Sequence, residues 1–237
     1  MTEFEWLSCA DPEPMLEYLQ CNGTISERKI RLFAVACCRR VWMYMTDGRS
    51  RTAVEVAERF ADGLATQYEC KKAFSRALPV SDDAPVGRSA PTITEIIVAE
   101  AAADAAVSSA YPSEPESIEA TCKALTIATL DAADVVFALH GFSDAARREE
   151  QSEQCRVVRD IFGNPFRPER VDPAWLTPSA ITLATAIYDE RSFHRMPQLA
   201  DVLEEAGCSD AGILGHCRSL TEHVRGCWVV DAVLGKA

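Results

Sequence analysis

The sequence predicts an all-α fold, a compact multi-helix bundle of about nine to eleven helices around a buried central helix at residues 25–45. Three observations predict it. In the stretch Thr24 to Met45, Ile30, Phe33, Ala34, Cys37, Cys38, Val41, Trp42 and Met45 recur at three- and four-residue steps, and Leu32, Val35, Ala36, Met43 and Tyr44 carry the apolar surface around most of the cylinder. A helix apolar nearly all round is buried under its neighbours. Secondly, the capping-box pattern, in which a Ser or Thr hydroxyl and a Glu carboxylate three residues on satisfy each other's backbone amides, occurs at Thr24, Thr66, Thr92 and Ser113. Thirdly, no alternating stretch long enough for a strand and no internal repeat is found.

In chain order, Trp6 and Leu7 are read as pinning the N-terminus, and Asp11-Pro12 starts a short helix through Leu16 and Leu19. Thr24 caps the central helix. Thr46-Asp47-Gly48 breaks it, and a helix from about Ser50 carries Val54, Ala57, Phe60, Ala61 and Leu64 on one face. Thr66 opens the next helix. The segment 79–91, PVSDDAPVGRSAP, has little to bury and reads as a surface loop. The whole chain, 1–237, is accordingly read as a single helical domain, with subdomains 1–78 and 92–237 as the alternative division.

Beyond the loop, Thr92 caps a helix to about Ala110, and Ser113 leads a long one ending at Gly141. Ser143 caps the next, which stops at Gly163. Three prolines forbid a helix over Asn164 to Thr177, although Phe166, Val171, Trp175 and Leu176 press it on the core. Thr177-Pro178 and Pro197 open two further helices. Ser209 is assigned as cap of a short helix to about Cys217, and Thr221 as cap of the last, which places His223 and Cys227 four apart on one helical face.

Charge and composition narrow the function classes. The formal net charge is −12, and residues 81–135 hold ten Asp and Glu against Arg88 and Lys123. That balance opposes nucleic acid and anionic membranes, whose phosphates require clustered cations. The acidic N-terminal stretch has neither part of a signal peptide, and the low-charge run from Ile96 to Pro112 contains Glu100 and Asp104, so a cytoplasmic protein without a membrane span is expected. Its ten cysteines are then thiols or metal ligands.

Three stretches, RKIRLFAVACCRR (Arg28–Arg40), RDIFGNPFRP (Arg159–Pro168) and HVRGCWVVD (His223–Asp231), together resemble a planctomycete-type bacterial protein family. The resemblance covers most of the chain, least well from Leu64 to Ala120, and implies no activity, cofactor or catalytic residue.

Among candidate sites the densest is Cys208 to Cys227. His216, Cys217, His223 and Cys227 offer the nitrogen and sulfur donors of a tetrahedral zinc site, although their spacing matches no standard finger. The competing reading is that both cysteines are core and both histidines cap carbonyls or sit half exposed. A Cys227–His223 nucleophile is disfavoured, because a mid-helix cysteine lacks the dipole that lowers a thiol pKa. Glu190 and His194 read as a solvated helix end. Arg39 and Arg40 with Arg167 are candidate anion ligands; otherwise such arginines pair with carboxylates. No Gly-rich phosphate loop or hydrolase elbow is present. The leading expectation is a cytosolic non-enzymatic module that acts through protein–protein contacts and needs no cofactor. Zinc binding and small-anion binding are the alternatives.

Overall fold

The computed structural model describes residues 1–23, 25–77, 132–168 and 170–236, and every regular element among them is helical, with no strand. The all-α class follows directly. The segment 79–91, the helix expected from Thr92 and the start of the one expected from Ser113 lie outside the described residues, as does Thr24.

The chain divides into two units, one comprising Cys9–Cys155 and the other Met1–Ser8 with Arg156–Ala237. In the first, α2 (Pro12–Cys21) begins where Asp11 accepts from the amide of Glu13, 3.1 Å away, with Pro12 at a position whose missing N–H costs nothing. The central helix α3 is Glu27–Arg40, shorter than the expected 25–45. Ser26 caps it through the Lys29 amide. At its other end the backbone tightens into a 3₁₀ turn, Trp42–Tyr44. Ile30, Leu32, Phe33, Ala34, Val35, Ala36, Cys37 and Cys38 are all buried. Beyond the helix end Trp42 is only partly covered and Met43 is exposed, whereas Val41 and Met45 are buried.

The arginines of α3 are charge-matched. Arg28 meets Asp62, Arg31 meets Glu27, Arg39 meets Glu58 at 2.6 Å, and Arg40 holds Glu150 with two bonds of 2.8 and 2.9 Å. Helix α4 (Gly48–Ala61) starts two residues earlier than expected, since Asp47 caps the Arg49 amide. It packs on α3 and on α5 (Gln67–Ala77). The Thr66–Glu69 capping box is formed as predicted.

Residues 132–139 are helical, and Gly141 takes φ +68° at the stop. Helix α6 (Asp144–Phe162) follows, with Ser143 accepting from Ala146, and its last turns belong to the second unit. There Arg159 donates twice to the Trp6 carbonyl, which fixes α1 (Glu3–Ser8), a helix not expected from the sequence. Trp6 is fully buried while Leu7 is 58% exposed, so one side of α1 faces inward. Thr177 caps α7 (Pro178–Glu190), and α8 (Met196–Glu205) packs against it. Helix α9 (Ala211–Cys217) is capped by Asp210, whose carboxylate takes two amides, and not by Ser209. The last helix, α10 (Trp228–Leu234), begins only at Trp228, well past the cap expected at Thr221. One apolar core built on Ala184, Ile187, Leu199, Leu203, Ile213 and Val230 joins these four helices.

Candidate metal centre

The late start of α10 decides the site. Gly226 takes φ +92° just before it, so residues 218–227 cross from α9 to α10 as an irregular connection. His223 and Cys227 therefore do not share a helical face. They stand at two points of a loop that folds back over the end of α6, and Asp160 lies there, in the last turn of that helix.

Asp160 is the centre of the arrangement. Its Oδ1 lies 2.5 Å from Nδ1 of His223 and 3.1 Å from Nε2 of His216. Its Oδ2 accepts from the Val224 amide at 2.9 Å, which fixes the plane of the carboxylate. The Cys227 sulfur completes the group, 3.2 Å from His216 Nε2 and 3.9 Å from His223 Nδ1. One donor atom from each of the four residues lies within 4.8 Å of every other. Asp160, His223 and Cys227 are buried, and His216 keeps its side chain 18% exposed.

Packing holds the rings in place. The two imidazoles meet edge to face with centroids 4.8 Å apart, and His216 lies 5.1 Å from the Trp228 ring. Trp228 in turn covers Gly163, where φ is +67° and an added Cβ would come within 3.4 Å of the indole. The glycine of RDIFGNP thus ends α6 and leaves room for the indole that supports His216.

Electrostatics follow from burial. Burial alone raises the Asp160 pKa, but the hydrogen bonds from His216 and His223 and the charges on their rings outweigh it and hold the carboxyl below its ordinary value. The Cys227 thiol is pushed well up, first by burial and then by the Asp160 charge, against a smaller opposing effect of the Val230 and Val229 amides. It is therefore a neutral thiol beside a carboxylate, which is the wrong state for a nucleophile. Cys227 stands at a helix start and not in mid-helix as expected, so the dipole argument drawn from the sequence does not apply to it.

Of the expected ligands, the fold brings His216, His223 and Cys227 together. Cys217 is fully buried and stands outside the donor group, its thiol pushed up to about 12 by burial and by Asp160. Its place in the set is taken by Asp160, which sequence reasoning missed. A signal was available: Asp160 is a lone acid among Val157, Val158 and Ile161, and it sits in the last helical turn, where the backbone dipole opposes negative charge. Of the expected anion ligands, Arg39 pairs with Glu58 and stacks on Trp42, Arg40 pairs with Glu150, and Arg167 pairs with Glu3. Among the described residues no helix is long and apolar enough to cross a membrane.

No family model, curated protein or solved structure matches the chain.

Proposed function

We propose that this protein is a metal-binding helical protein that holds one divalent transition ion, zinc by the chemistry of its donors, on Asp160, His216, His223 and Cys227. The observation that carries the proposal is the convergence of four donor atoms within 4.8 Å from the end of α6, the end of α9 and the connection to α10. Protons alone serve this group poorly. With both imidazoles donating to Oδ1, neither facing nitrogen accepts from the Cys227 thiol, yet the sulfur lies 3.2 Å from one of them. A cation in their midst, with the thiol deprotonated, would be met by a lone pair from each of the four atoms. Two imidazoles, one thiolate and one carboxylate form a borderline-soft set of the kind zinc takes in four-coordinate sites.

The role that fits is structural. Four protein donors fill a tetrahedral site and leave no position for a substrate or an activated water, unlike the three-donor sites of hydrolases. Such an ion ties together two helix ends and a loop with little regular structure of its own. A non-enzymatic protein is in keeping with this closed site.

Elemental analysis of the purified chain tests the proposal. One stoichiometric zinc is expected, lost in His223→Ala and retained in Cys217→Ser. A metal-free wild-type protein that also fails to take up zinc or cobalt after reduction refutes it.

A further inference from the structure

Helices α4 and α5 leave a groove of about 260 Å³ between them, in the unit that does not contain the candidate metal centre. Arg49, Thr52, Val56 and Arg59 line it from α4, and Glu69, Lys72, Ala73 and Arg76 from α5. These positions follow helical spacing, so the groove runs along both helices. Val56 and Ala73 are buried and small, and they form an apolar floor. Four cations stand around it in a chain whose net charge is −12.

Local acids neutralise only part of that charge. Asp47 holds the Arg49 guanidinium, with contacts from 2.9 Å. Glu69 is occupied by the Thr66 amide and hydroxyl, and its nearest approach to Arg59 is 3.9 Å, too long for a hydrogen bond. Among the described residues Arg76 makes no hydrogen bond or ion pair, and Lys72 acts on the Glu69 carboxyl only through its charge, without a hydrogen bond. Counted over the described residues, a local excess of about two positive charges remains, which matches a phosphomonoester near neutral pH. This contrasts with α3, where each guanidinium has its carboxylate.

We infer that the groove between α4 and α5 binds a small organic phosphomonoester, its phosphoryl group held by Arg59, Lys72 and Arg76 and its apolar part lying on Val56 and Ala73. Arginine supplies a forked donor and lysine a point charge, a usual pairing around phosphate. The floor adds contact that inorganic phosphate cannot use.

Phenyl phosphate titrated into the full chain, followed by calorimetry and by its phosphorus resonance, tests the inference, with inorganic phosphate run in parallel. Saturable binding is expected, tighter for phenyl phosphate and weakened about tenfold or more in Lys72→Ala/Arg76→Ala. Both positions are exposed, so the variant folds, and its circular dichroism checks this. No saturable binding, or equal affinity in the variant, overturns the site. Equal affinity for inorganic phosphate overturns the role of the floor. A phosphoserine peptide that binds more tightly than phenyl phosphate overturns the small-molecule assignment. None of these outcomes depends on whether the chain holds zinc.

Discussion

Asp160→Asn keeps the shape of the side chain and removes its charge, and so it separates a metal centre from a buried hydrogen-bond cluster. Asp160 Oδ1 accepts from two imidazoles, and Oδ2 accepts from the Val224 amide. Hydrogen bonds to a charged group contribute roughly 1.5–3 kcal/mol each, and a neutral amide oxygen retains part of that. The substituted side chain also turns an NH₂ towards one of these donors. A loss of about 2–4 kcal/mol is expected without metal, with little screening because Asp160 is 3% exposed. Bound zinc adds a separate contribution, about 4 kcal/mol when the free ion exceeds its dissociation constant a thousandfold. The assay is urea unfolding followed by tryptophan fluorescence, since Trp228 lies 5.1 Å from His216. Each protein is measured with zinc and with a chelator. Wild type should move to a higher midpoint with zinc, and Asp160→Asn should stay nearly still. A wild-type midpoint that ignores both additions refutes the reasoning, as does an Asp160→Asn variant that keeps the full zinc response.

Two further perturbations probe the scaffold. Arg40→Ala leaves the buried Glu150 carboxylate without its two-bond partner and should cost about 2–4 kcal/mol in denaturant unfolding, below the full buried-pair figure because Arg40 is 21% exposed; Arg40→Lys should recover only part of it. Gly163→Ala places a side chain at φ +67° with its Cβ against Trp228 and should cost about 1–2 kcal/mol by thermal unfolding, together with weaker zinc retention as the indole behind His216 shifts.

The parts of the fold legible beforehand are those written in local chemistry. Asp11-Pro12, Thr66 with Glu69, Ser143, Thr177 and Gly163 each act within a few residues of themselves, and each does in the structure what its type and position predict. Errors arise where two local signals compete. Ser26 stands two residues after Thr24, and Asp210 next to Ser209, and spacing alone does not choose between such nearby caps. Helix α10 is expected too long because Thr221 resembles a cap, although the glycine at 226 takes a positive φ that ends any helix running through it. That single shift changes His223 and Cys227 from neighbours on a helical face into two arms of a loop.

What this amino-acid sequence settles by itself is the helical class and, among the described residues, several of the helix starts and stops and the apolar face of the central helix, because these depend on periods of three or four residues. It also marks three of the four residues of the proposed metal centre, since His216, His223 and Cys227 lie within twelve positions. Only the tertiary structure brings Asp160 to them, 63 residues from His223, and sets Cys217 aside. The physical reason is that a ligand set is selected by where side chains end in space, and that depends on how α6, α9 and α10 pack and where the connection between the last two turns.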